Sequence, residues 1–84
     1  MKYTVRIKCL VPFHNDEVTF TQNIEPAKLG PFVRAIANKM TNCNAWFTDE
    51  HGRECASIKR KQLGFNEFRL RELCLNGNLL NIGG

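Results

Sequence analysis

At 84 residues, 43% of them hydrophobic, with a net charge of +4, the chain suits one small domain that buries roughly 60% of its unfolded surface. No apolar run approaches the roughly 20 residues of a bilayer span, and the amino terminus, MKYTVRIKC, alternates where a secretion signal would carry an apolar block, so a cytoplasmic protein is expected. Six Phe, one Trp and one Tyr without any low-complexity tract exclude general disorder.

From Tyr3 to Val11 the odd positions are apolar or amphipathic while Thr4, Arg6 and Lys8 are polar, the pattern of a half-buried strand. Cys9 is in phase with the buried set and reads as a small core residue. Pro12 ends the pairing, His14-Asn15-Asp16-Glu17 is a polar turn, and Val18 to Ile24 resumes alternation through Val18, Phe20 and Ile24. These two strands make an amino-terminal hairpin. Glu25-Pro26 breaks it. Pro31 then suits the first turn of a helix running roughly 31–41, where a missing N–H costs nothing. Leu29, Phe32, Val33, Ile36 and Met40 follow helical spacing and would pack on the sheet, with Arg34, Asn38 and Lys39 in water.

A loop over 41–44 leads to the stretch Asn44 to Lys61, NAWFTDEHGRECASIKRK, which reads as a second hairpin. A two-residue turn at His51-Gly52 sets Phe47 opposite Ala56 and Ala45 opposite Ile58 on the core face, and leaves Trp46, Thr48, Cys55, Ser57 and Lys59 on the other. A four-residue loop, Asp49 to Gly52, would instead set Trp46 opposite Cys55. The basic end Lys59, Arg60, Lys61 is expected to be exposed either way. Gln62-Leu63-Gly64 reads as a strand break. Asn66 would cap a helix from Glu67 to about Asn76, with Phe65 stapled onto Leu70, the residues Leu70, Leu73 and Cys74 inward, and Gly77 as the stop. The rival is a hairpin, LCL-NG-NLL, since Asn-Gly is the strongest two-residue hairpin signal.

The element order predicts an α+β domain, ββαββα with the last element either a helix or a hairpin: an antiparallel sheet of two β-hairpins, one or two helices packed on one face, and the other face wet. That open face would present Arg6, Lys8, Thr19, Thr21, Trp46, Ser57 and Lys59. Charge is concentrated beside it. Residues 53–71 hold Arg53, Lys59, Arg60, Lys61, Arg69 and Arg71 against Glu54 and Glu67, so the whole net charge falls on this segment and points to a polyanionic or acidic partner. Bases can stack on a planar aromatic while Lys and Arg neutralise phosphates, so Arg6, Lys8, Trp46, Arg53, Lys59, Arg60, Lys61, Arg69 and Arg71 are the candidate binding residues for nucleic acid.

Other chemistries are less well provided. Four cysteines without a secretion signal are expected as thiols, and they include no Cys-x-x-Cys pair; Cys43, His51 and Cys55 would meet at a zinc ion only if the 41–44 loop folded back. The acid and imidazole groups, Asp49-Glu50-His51 and His14 to Glu17, sit at hairpin tips, where water exclusion is hard to achieve, so no enzyme and no cofactor are expected. The hairpin-helix-strand order ending in Gly83-Gly84 resembles ubiquitin and the small sulfur-carrier proteins, which implies modifier or sulfur-transfer chemistry at that tail. In size and mixed architecture the chain also resembles the accessory and anti-defence proteins of bacterial phages. That resemblance implies an inhibitor docking on a host nucleoprotein or nuclease through charge and a few aromatic anchors such as Trp46, Arg53, Lys59 and Arg60.

Overall fold

The computed structural model describes residues 1–11 and 16–80. Period-two patterning builds its centre. In β1 (Lys2–Cys9), Tyr3, Val5 and Ile7 are buried, and β2 (Glu17–Asn23) pairs antiparallel with Val18 opposite Ile7 and Phe20 opposite Val5. On the other side of β1 lies β3 (Cys43–Thr48), with Phe47 opposite Val5 and Ala45 opposite Ile7. Next comes β4 (Glu54–Gly64), where Phe47 faces Ala56 and Ala45 faces Ile58, the register expected from the sequence. β5 (Glu67–Leu75) and the short β6 (Asn78–Leu79) complete one antiparallel sheet in the order β2-β1-β3-β4-β5-β6.

One helix covers one face. Pro26 opens a 3-10 turn, Pro26–Lys28, that runs into α1 (Leu29–Lys39), two residues earlier than the sequence suggested. Leu29, Val33 and Ala37 are buried and Phe32, Ile36 and Met40 pack around them. Phe32 meets the fully buried Phe47 edge to face, ring centroids 6.0 Å apart, a geometry that adds about 0.5–1.5 kcal/mol to the burial of the two rings.

The carboxy-terminal third corrects the sequence reading. The segment expected as a helix from Glu67 is instead the strand β5, Glu67–Leu75, the strand pairing runs through Gln62-Leu63-Gly64, and the two expected hairpins belong to one six-stranded sheet with a single α-helix among the described residues. The reason lies in two irregularities of the β4–β5 ladder. Lys59 pairs with Glu72 but Arg60 pairs with Leu70, leaving Arg71 as an extra residue, and Leu63 is extra on the opposite strand. An inserted residue turns a spacing of two into a spacing of three. Leu70 and Leu73 therefore imitate a helical i, i+3 pair while lining one face of a strand. Past β5, Asn76 (φ 51°) and Gly77 (φ 82°) occupy the left-handed region between Leu75 and its partner Asn78. Two positive φ values in a two-residue loop match the strand twist, which is why Asn-Gly makes this turn and Gly77 does not stop a helix. Phe65 staples nothing: it sits at the β4–β5 turn, 66% exposed. The His14-Asn15 part of the first turn and the Gly83-Gly84 tail lie outside the described residues.

Leu73→Ala, at a position 1% exposed, should cost about 2–5 kcal/mol in urea unfolding, while Phe65→Ala should stay within about 0.5 kcal/mol. A helical 67–76 segment with Phe65 stapled to it would make both changes costly.

Candidate nucleic-acid interface

The face of the sheet away from α1 is organised by register. Thr19, Arg6, Trp46, Ser57 and Cys74 lie opposite one another in a row from β2 to β5. Ser57 is buried although it points to this face, only 2% exposed between Trp46 and Cys74. The guanidinium of Arg6 lies over the Trp46 ring, 4.7 Å from its centroid, and Arg6 Nε is 3.4 Å from Glu17 Oε1. Trp46 is half-buried and carries its own cation. It is therefore a smaller open platform than the sequence suggested, with an arginine plane on which a base can stack in place of the ring. Lys8 sits opposite both Glu17 and Asn44.

β4 is eleven residues long and β3 only six, and this mismatch creates the second half of the surface. The β3–β4 ladder ends where Ala45 faces Ile58; from Lys59 to Gly64 the strand pairs only with β5. Residues 61–67 are exposed. A two-stranded ribbon thus extends the sheet by roughly 15–20 Å at about 3.3 Å per residue. Its side chains keep the phase of the body: Ser57, Lys59 and Lys61 continue the open face, while Ala56, Ile58 and Arg60 turn toward the helix. Lys59 Nζ reaches Glu72 Oε2 at 4.0 Å. Lys61 lies directly opposite Arg69, and neither they nor Arg71 form an ion pair among the described residues. Like charges placed opposite each other on a ladder destabilise it. An anion seated between them would remove that repulsion.

Two of the candidate residues are employed elsewhere. Arg60, expected to be exposed, is half-buried on the helix side, where its guanidinium donates to the Ala37 carbonyl in the last turn of α1. There it satisfies one of the carbonyls that a helix end leaves unpaired and sits at the negative end of the helix dipole. Burial pushes its pKa down, with a smaller opposing influence from Cys43. Arg53 stands at the opposite end of β4, roughly 25 Å from Lys61 at strand spacing, with its Nε 3.3 Å from Asp49 Oδ2. The basic segment 53–71 is therefore not one patch. Its unpaired charge is Lys61, Arg69 and Arg71, joined to Arg6, Lys8, Trp46 and Lys59 along the open face.

The tip between β3 and β4 is built by Asp49. Its Oδ1 accepts from the backbone N–H groups of His51 and Arg53, and Gly52 N–H closes a turn onto the Asp49 carbonyl at 3.1 Å. Gly52 is left-handed, φ 80°, so the loop is a three-residue turn ending in the glycine and not the two-residue turn expected. The strand end absorbs the difference, since Thr48 pairs with Glu54 through a bulge and the inner register is kept. Those backbone donors, led by Arg53 N–H, hold the Asp49 carboxyl below its ordinary value despite its burial. Cys43 and His51 lie at opposite ends of β3, so Cys43, His51 and Cys55 do not converge on a metal, and no cluster of three metal-ligating side chains occurs among the described residues.

Two contributors escaped the sequence reading. Asn44 Oδ1 accepts from Arg60 N–H at 2.7 Å where the ribbon leaves β3, and nothing in the pattern marks an Asn for that duty. Phe65, taken in the sequence for a helix staple, stands at the ribbon tip, and its turn-forming neighbours Gly64 and Asn66 are the signal that marks it. Comparison with protein-family models, with curated proteins and with solved structures finds no match to this chain. No helix among the described residues is long and apolar enough to cross a membrane.

Arg60→Ala should destabilise the fold by about 1–3 kcal/mol, the range for losing a charged hydrogen bond to a half-buried carbonyl, whereas Lys61→Ala should be neutral within about 0.5 kcal/mol by urea unfolding. Because the folded Asp49 pKa lies below the unfolded value of about 3.9, its turn contributes fully above that pH and is lost as pH falls through the folded pKa. Asp49→Asn should accordingly lower stability at neutral pH and flatten the acid limb of the stability profile measured by urea midpoints from pH 2 to 7.

Proposed function

We propose that this chain is a non-enzymatic nucleic-acid-binding protein that engages the phosphate backbone through its open sheet face and the β4–β5 ribbon. The observation that carries the reading is the Lys61–Arg69 pair, two cations held opposite each other with no acid between them, on the same face as Trp46. A ladder that accepts this repulsion is poised for an anionic ligand. A two-stranded ribbon is narrow enough to enter the major groove of a duplex, which is about 12 Å wide. Arg69 and Arg71 on one strand and Lys61 on the other would then contact phosphates on both walls. Arg6 over Trp46 and Lys8 beside Asn44 would hold the flanking backbone. With one ring face covered by Arg6, stacking on Trp46 is secondary, so duplex is favoured over single strands.

One observation favours a second reading, a protein partner with an acidic surface such as a nucleic-acid-processing enzyme or nucleoprotein that the chain would inhibit. Phe65 is 66% and Leu63 45% exposed near the ribbon tip. Exposed aromatics beside arginines are typical anchors of protein interfaces.

Fluorescence titration of a labelled 20-base-pair duplex across salt concentrations separates the readings. Substituting Lys61, Arg69 and Arg71 together by Ala should reduce the slope of log affinity against log salt by about 2–3, close to 0.9 for each phosphate left without its cation, while Phe65→Ala leaves that slope unchanged. Undetectable binding to duplex and to single strands at low salt would remove the nucleic-acid reading and leave the protein partner in front.

A further inference from the structure

The four cysteines are all thiols in the structure, but they are not equivalent. Cys9 on β1 and Cys43 on β3 lie directly opposite each other, whereas Cys74 faces Ser57 and Leu79, and Cys55 faces no cysteine in the register. The hydrogen bonding around the pair fixes its type. Cys9 N–H donates to the Asp16 carbonyl on the β2 side, and Leu10 N–H donates to the Asn42 carbonyl on the β3 side. Hydrogen-bonded and non-hydrogen-bonded pairs alternate along an antiparallel ladder. Leu10 with Asn42 is the bonded pair, so Cys9 with Cys43 is the non-bonded one, where the strands approach most closely.

Opposed residues at such a position have Cα atoms about 4.5 Å apart and Cβ atoms about 4.5–5.5 Å apart. A disulfide needs about 4.4–6.8 Å and 3.5–4.5 Å. For a pair of this type the two Cα ranges overlap, and the Cβ ranges meet at about 4.5 Å.

We propose that Cys9 and Cys43 are a peroxide-responsive pair that closes to an intramolecular disulfide between β1 and β3. One thiolate attacks hydrogen peroxide, breaking the O–O bond and releasing hydroxide, which leaves a sulfenic acid on that cysteine. The second thiol attacks the sulfenic sulfur and expels the remaining oxygen as water. Two thiols are thereby oxidised by two electrons, one peroxide is reduced, and two waters form. The surroundings make closure slow at trace peroxide, because a thiol held above its ordinary pKa carries little of the attacking thiolate. Burial, then the neighbouring Cys9 thiol and its hydrogen bond, hold the Cys43 thiol above its ordinary pKa, and Arg60 opposes this in part. Both side chains are half-buried, not sealed. This inference is independent of the nucleic-acid reading, although Asn44, next to Cys43, holds the root of the ribbon through Arg60 N–H.

Trypsin tests it directly, because cleavage after Lys8, Lys39, Arg53 and Arg71 leaves each of the four cysteines on its own peptide. Reduced wild-type protein is treated with hydrogen peroxide, its remaining thiols are alkylated, and the unreduced digest is read by mass spectrometry. The expected product joins the Cys9 and Cys43 peptides while Cys55 and Cys74 stay alkylated. It should raise Tm by on the order of 10 °C, and dithiothreitol should reverse both changes. Cys9 and Cys43 both recovered as alkylated peptides, oxidation distributed to Cys55 or Cys74, or disulfide-linked dimers as the main product would each overturn the proposal. Cys43→Ser should abolish the link, and the wild-type peptide map decides the matter even if that variant does not fold.

Discussion

Phe47 packed against Ala56 across the β3–β4 ladder, with Phe32 of the helix edge-on to its ring, is the contact on which the rest of the molecule depends. Once Phe47 and Ala45 point at the helix, Trp46 must point away from it, because successive strand residues alternate. The same register fixes how far β4 outruns its neighbour, since Ala45 opposite Ile58 leaves everything after Ile58 with a partner on one side only. Core packing and the shape of the exposed surface are therefore set by one alignment. Slipping it by one residue would turn Trp46 or Ser57 toward the helix and its core partner toward the open face.

The electrostatics follow from that geometry. On the open face Arg6 is answered by Trp46 and Glu17, and at the root of the ribbon Lys59 is answered by Glu72. Beyond Lys59 that provision stops. Lys61 and Arg69 are both exposed and oppose each other on the ribbon, where solvent and salt screen the repulsion enough to keep the fold. The unpaired charge thus sits on the part of the molecule with the fewest packing duties, where a ligand can reach it without disturbing the core.

Much of this was legible in the sequence. Alternation from Tyr3 to Val11 and from Val18 to Ile24, and the match of Ala45 and Phe47 with Ile58 and Ala56, announced two strand pairs and their inward faces, and the spacing of Leu29, Val33 and Ile36 announced the helix. The ribbon was hidden because its two extra residues, Leu63 and Arg71, disturb the period on which strand recognition rests, while Leu70, Leu73 and Cys74 fall at helical spacing by that accident. Arg60 illustrates a different limit. Its phase, two residues past Ile58, does put it with the inward set, but its charge argued for solvent, and only the helix end over β4 supplies the carbonyl that makes the inward position favourable. Asn44 and the Cys9–Cys43 pair depend on which strands are neighbours, and β1 beside β3 cannot be read from local pattern.

The most direct test of the ribbon as the binding surface is a titration of isotope-labelled protein with a short duplex at low salt, followed by backbone amide shifts. Binding through the ribbon predicts that the largest changes fall between Lys59 and Arg71 and extend to Arg6, Lys8 and Trp46, with the Asp49 to Arg53 tip unmoved. Changes confined to that tip or to the helix, or none at all at duplex concentrations well above the protein, would contradict it.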